Sequence, residues 1–365
     1  MKYASQQCPG NAGQDRHSAE HAKGLTPLVS LDIANIHSFD DMLKSMSLTA
    51  FGGRQVGEAA DLLTTMAQDP DCFVVGTFSG AMTVGKQGLL IAEMIDRGML
   101  NAIVSTGALM THGLVEGVGM SHFKFDPAIM NDKEFFDKGF NRVTDTIELE
   151  KNLDDLEDIV DKVFEGIDEN EIACSSSIVR AIGKHLCDTV PGRAIVKSAY
   201  EKNVPIYIPA FTDSELGLDF ALHNRIRQRK GKKPIQFNPF LDLEQYTELI
   251  VRQKRTGIFT IGGGVPRNWA QQVACYLEII NHRQQGGPNG EEYPVMRFMY
   301  GLRICPEPVH WGGLSGCTYS EGVSWGKFVP PEEGGKFVEV LADATTVWPL
   351  LLKGVTERLD RKTQS

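Results

Sequence analysis

The stretch Glu321-Gly-Val-Ser-Trp-Gly-Lys327 holds a lysine, a carboxylate six positions before it and a tryptophan two positions before it. A lysine does covalent work when burial or a cationic neighbour lowers its pKa, so that the neutral amine attacks a carbonyl or imine carbon. Gly326 lets the backbone approach a ligand closely, and Trp325 offers a flat apolar wall that attracts cations. The bland alternative is a surface lysine following a strand.

A reactive lysine needs a scaffold, and the scaffold is written in strand–turn–helix units. Cys72 to Phe78 is a short apolar, β-branched run that reads as a buried strand; it enters the glycine-bearing turn Ser79-Gly80, and a helix follows over Leu89 to Ile95. Ala102 to Thr106 repeats the pattern into Gly107. Val204 to Pro209 is a strand ending near Asp213, which suits either a ligand contact or a helix N-cap. Gly257 to Ile261 opens into Gly262-Gly263-Gly264, with a helix from Trp269 to Ile280. Val295 to Ile304 and Phe337 to Leu341 are further strands, the last running into Asp343 and Ala344, with a closing helix over Val347 to Leu359. Such units present backbone N–H groups to phosphate and predict an α/β fold, a Rossmann-like, mostly parallel sheet flanked by helices.

Around this scaffold, residues 1–24 read as a flexible N-terminal arm and 25–365 as a single catalytic domain. Ala59 to Met66 reads as a helix, and Leu25 to Ser47 as one or two short ones. Glu148 to Glu171 has leucine, isoleucine and valine at spacings of three and four, which predicts an amphipathic helix with a solvated acidic face. The basic run Arg225 to Lys233 reads as a solvated turn.

Composition narrows the function. The net charge of -10 argues against a general nucleic-acid binder and fits a cationic small substrate. Seven scattered cysteines with no C-x-x-C pair give neither a disulfide framework nor zinc-ligand spacing, so no metal is expected and the cysteine usage fits the cytoplasm. No apolar run reaches the ~18 residues of a membrane span, so no membrane partner is expected. Gly80 to Gln87 nearly fits the nucleotide-triphosphate loop, but Gln87 lacks the hydroxyl that holds magnesium. Phosphate binding by backbone amides survives this test and ATP hydrolysis does not. The G-x-G-x-x-G dinucleotide fingerprint is also absent at these strand ends.

The lysine stretch resembles the signature of the deoxyhypusine synthases. Gly76 to Gly85, Ser105 to Gly107, Pro209 to Asp213 with Leu216-Gly217, Gly262 to Val265, and Ala342 to Ala344 resemble that family's remaining motifs, in the same order from about Asp71 to Leu352. The resemblance implies NAD as cofactor, held by Ser79, Gly80, Thr83, Thr106, Gly107, Asp213, Gly262, Gly263, Gly264, Ser315, Asp343 and Ala344. It implies Lys327 as the catalytic nucleophile, with Glu321, Trp325, Asn268 and Asp219 at the substrate. Spermidine is the implied donor of a 4-aminobutyl group. The acceptor is either a lysine of the hypusine-containing translation factor or a small polyamine such as putrescine, and the assembly is a homotetramer. Several positions depart from the family pattern. Asn268 stands where a histidine is expected, Leu314 and Leu218 replace acids, and Thr111 and His112 replace paired glutamates. The lysine is retained while the polyamine-reading groups change. A reading of another class is a dinucleotide-binding regulatory or structural protein without transferase activity.

Overall fold

The computed structural model describes residues 23–128, 131–284, 286–287, 290–312 and 317–364. Residues 1–22 of the expected arm, and Leu314 and Ser315, lie outside the described residues. Among the described residues, six parallel strands form the central sheet: β1 (Cys72–Phe78), β2 (Ala102–Ser105), β3 (Ile206–Tyr207), β4 (Arg255–Ile261), β5 (Tyr300–Ile304) and β6 (Lys336–Val340). Their order is β6-β5-β4-β1-β2-β3. The chain steps outward from β1 through β2 to β3, then returns to the other side of β1. That reversal, between β1 and β4, is where open α/β sheets bind ligands.

Burial on both faces explains why these strands read as continuous apolar runs. Val74 and Phe78 of β1 belong to one apolar layer and Val75 to the other. The first layer is filled by helices Phe51–Gln68, Gly88–Asp96 and Ala344–Gln364, through Leu63, Ile91 and Trp348 among others. The second takes Tyr246 and Ile250 from helix Phe240–Val251, and Val273 and Leu277 from helix Gly264–Gln284. Pairing register brings most strand ends level: Phe78 is opposite Ser105 and Ile261, Ile261 opposite Ile304, and Ile304 opposite Val340.

Several sequence-based bounds change. The strand expected from Val295 begins at Tyr300, with only an isolated bridge between Phe298 and Phe328 before it. The strand expected over Val204 to Pro209 pairs only at Ile206–Tyr207. The expected acidic helix is Glu150–Glu165. Glu148 is instead in the strand Thr146–Leu149, the middle of a three-stranded antiparallel sheet with Phe123–Lys124 and Phe140–Val143, and is 1% exposed. Helical periodicity carried the reading too far because Glu148 is buried by contacts distant in sequence. The basic run is mostly the end of helix Glu215–Arg229, and Arg227 is buried, donating from Nε to Lys233 O at 2.8 Å.

The closing helix contains Pro349, which lacks the N–H that would bond to the Thr345 carbonyl. Gln87 Nε2 donates to that carbonyl at 2.8 Å. The glutamine that spoils the nucleotide-triphosphate loop therefore caps a backbone acceptor freed by a proline. One residue earlier, Trp348 is fully buried, its ring centroid 5.7 Å from Phe78 and 6.0 Å from Phe259. Trp348→Ala should cost about 3–5 kcal/mol of stability, read as a lower urea midpoint at unchanged slope.

Candidate active site

The cleft at the carboxyl ends of the strands has a volume of about 360 Å³ and is lined by turns following β1, β2, β3, β4 and β5. It brings together Ser79, Gly80, Thr106, Gly107, Asp213, Gly262, Gly263 and Gly264 from four separate segments. Ser105, Ala210 and Val265, inside motif stretches read from the sequence, also line it. Sequence reasoning missed Pro266, Cys305 and Glu307, whose only sequence signal is position, one to a few residues past a strand end.

Hydrogen bonds tie the turns to one another. Thr106 Oγ1 donates to Gly80 O at 2.7 Å and accepts from Leu109 N at 3.1 Å, so it both links two turns and caps helix Gly107–Gly117. Ser79 Oγ accepts from Gly263 N at 3.0 Å and donates to Gly263 O. Gly80 and Gly262 have φ of +67° and +81°, conformations that side chains resist. A Cβ on Gly80 would meet no heavy atom within 4 Å, so open space abuts its backbone. Asp213 is exposed, and Ser214 rather than Asp213 caps the following helix, its Oγ accepting from Gly217 N at 3.3 Å. The ligand-facing reading of Asp213 is thereby favoured over the capping one.

Three expected cofactor residues are outside the lining. Thr83 is fully buried and donates to Leu109 O at 2.8 Å, fastening the first turn to the next helix. Asp343 accepts from Thr345 N at 2.9 Å and Thr345 Oγ1 at 2.6 Å at the start of the closing helix, and these bonds hold its carboxyl below the usual range. Ala344 is buried beside it.

Lys327 follows the short helix Tyr319–Ser324, not a strand, and is 6% exposed. Gly326, at φ +67°, turns the backbone so that Lys327 N bonds to Gly322 O at 3.1 Å. The Lys327 Nζ donates to Asn268 Oδ1 at 3.4 Å and stands 5.9 Å from the centroid of the Trp325 ring. Among the described residues the lysine has no carboxylate partner. Asn268 is four residues beyond Gly264 in the same helix, a rise of about 6 Å. Glu321 is exposed in the first turn of the short helix, where its amide is capped by Thr318 Oγ1 at 3.0 Å.

Asp219 lies apart from the cleft lining, 7% exposed on helix Glu215–Arg229. Burial, with the charges of Glu215, Glu157 and Asp161, pushes its pKa up to about 7. Of the other departures, Thr111 is buried and its Oγ1 accepts from Leu216 N at 3.4 Å, His112 Nδ1 is 3.0 Å from Glu148, and Leu218 is exposed.

The deoxyhypusine synthase family model matches residues 41–355. The chain is 31% identical over 334 residues to "Probable deoxyhypusine synthase 2" of Methanosarcina acetivorans, covering 91% of this chain and 90% of that protein. It is 32% identical over 310 residues to the protein of the same name from Archaeoglobus fulgidus, covering 85% and 95%. Among solved structures, a "putative deoxyhypusine synthase" from Entamoeba histolytica shares the fold, with a TM-score of 0.55, 15% identity and coverage of 90% and 97%.

The Asp219 environment gives a pH signature. The unfolded chain releases this proton near pH 4 and the folded chain near 7, so its contribution to stability falls as pH rises through that window. Asp219→Asn should raise the melting midpoint at pH 8 and leave it unchanged near pH 4. Equal shifts at both values would reject the buried-acid assignment.

Proposed function

The chain belongs to the deoxyhypusine synthase family, whose members are aminobutyl transferases, and on that premise we propose that it moves a 4-aminobutyl group from spermidine through an imine on Lys327 to an amine acceptor, with NAD as cofactor. The observation that carries this reading is the buried Lys327, set against an amide oxygen and an indole rather than a carboxylate.

The glycine turns fit a dinucleotide. Their amides suit phosphate oxygens, Asp213 suits a ribose hydroxyl, and the open backbone at Gly80 admits close approach. Asp343 is the candidate for a second ribose, once its bonds to Thr345 are shared. When bound, NAD supplies a hydride acceptor for the donor amine and a hydride source for the product.

The protein's own groups do the rest. Attack requires a free lone pair on nitrogen, and low exposure keeps competing water from Lys327. The amine adds to the imine carbon of the oxidised donor. The bond from that carbon to the diaminopropane nitrogen breaks, the proton passes to the departing amine, and the aminobutyl carbon stays on Nζ. An acceptor amine adds to the same carbon and the lysine leaves. Trp325 and Glu321 offer a π face and a carboxylate to the cationic chain. Trp325 is 61% exposed in the isolated chain, and the working form proposed, on family membership, is a homotetramer. The altered acid positions favour a small amine acceptor over a protein lysine.

Incubation with NAD and spermidine followed by borohydride should add the aminobutyl mass to Lys327, and Lys327→Ala should abolish the adduct while NAD still binds. An unchanged adduct in the variant, or none in the parent with any common polyamine, would overturn the assignment. Asn268→Asp sets a carboxylate against Nζ and stabilises the ammonium form. It should lower turnover about 10-fold near neutral pH and move the pH optimum upward, which steady-state kinetics across pH would reveal.

A further inference from the structure

Away from the cleft, three side chains converge from segments the sequence keeps far apart. His112 is on helix Gly107–Gly117, His122 is just before the strand Phe123–Lys124, and Glu148 is in Thr146–Leu149. His112 Nδ1 lies 3.0 Å from Glu148 Oε2 and His122 Nε2 lies 2.5 Å from the same oxygen. One ligand atom from each of the three falls within 4.8 Å of the other two. The side chains of His122 and Glu148 are each 1% exposed and that of His112 19%.

We propose that His112, His122 and Glu148 bind a divalent transition ion of the zinc class, clamping the three-stranded insert to helix Gly107–Gly117. Two imidazoles and one carboxylate are a sufficient protein ligand set for zinc, with a fourth position left for water. Two features of the cluster suit an ion. First, His112 Nδ1 and His122 Nε2 both face the same buried Glu148 oxygen, at 3.0 and 2.5 Å, so three ligand atoms from distant segments converge at one point. Second, the carboxylate is already oriented from outside the cluster. Asn152 Nδ2 donates to Glu148 Oε1 at 3.0 Å and to Ser121 O at 3.1 Å, which fixes both the carboxylate and the loop carrying His122. Such outer hydrogen bonds orient metal ligands.

One group opposes binding. Lys86 Nζ lies 2.9 Å from His122 Nδ1 and 3.7 Å from Glu116 Oε1. Its side chain is 44% exposed, so the ammonium can swing into solvent. With Nε2 on the metal, Nδ1 carries the proton and no longer accepts from Lys86. The lysine and the ion therefore compete for His122, a consequence that a purely structural network does not share.

The test is zinc titration of the chelator-stripped full-length protein against a chromophoric competitor, with circular dichroism on each variant. The expected result is one ion per chain, a higher melting temperature with zinc, loss of the site in His122→Ala and Glu148→Gln, and binding about 10-fold tighter in Lys86→Gln. Wild-type protein that takes up no stoichiometric zinc overturns the proposal, as does unchanged affinity in folded His122→Ala. Zinc binding without thermal stabilisation overturns the clamp. Should the ligand variants fail to fold, the visible spectrum of cobalt-loaded wild type decides: nitrogen-ligated, low-coordinate bands support the site, and the spectrum of the hydrated ion refutes it.

Discussion

Everything at the candidate active site depends on strands ending at one level. Phe78, Ser105, Ile261, Ile304 and Val340 form a row across the sheet, so the turns after them open onto the same volume. The reversal of strand order between β1 and β4 places the two glycine turns side by side. Ser79 can then bond to Gly263, and Thr106 to Gly80. The cleft is consequently built largely from backbone. Backbone donors remain when neighbouring side chains change, provided that glycines stay where φ is positive or an approach is close. Gly107 shows the second requirement: a Cβ there would lie 2.2 Å from Ser214 Oγ.

How much of this was legible follows from where the information resides. Strands buried on both faces announce themselves, and β1, β2 and β4 were read almost to the residue. Short β3 was overextended because its apolar flanks, Val204 and Ile208, are buried without ladder pairing. Strand order was not legible, since no local pattern says on which side of β1 the chain returns. The antiparallel insert was missed for a related reason. Phe123, Lys124 and Val143 are exposed, so the strands lack the apolar alternation that marks a half-buried sheet. Its buried Glu148 looks, in sequence, like the first acid of the helix that follows.

Among the site residues, the ones found early were those that glycine punctuation or the lysine signature marks. Cys305 and Glu307 carry no such mark. Gln87 illustrates the opposite case, a residue that was noticed for what it could not do. Its amide completes the hydrogen bonding of Thr345, 258 positions later, because Pro349 cannot. That pairing is invisible until the closing helix is seen against the first turn, although each residue taken alone is conspicuous.

Lys327 and the cleft are joined mechanically by one helix. Gly264, at the start of helix Gly264–Gln284, lines the cleft, and Asn268, one turn later, contacts Lys327. A helical turn is stiff, so the separation of these points is set by backbone geometry rather than by side-chain choice. A substitution at position 268 thus changes what the lysine amine feels while leaving the glycine turn in place. The departures from the family pattern sit in comparable positions. Leu218 is exposed near the start of helix Glu215–Arg229, and Thr111 is absorbed into packing against Leu216. Neither is required by the turns or by the lysine. The fold therefore separates the glycine turns and the Lys327–Asn268 contact from these departed positions, whose side chains neither line the cleft nor touch the lysine.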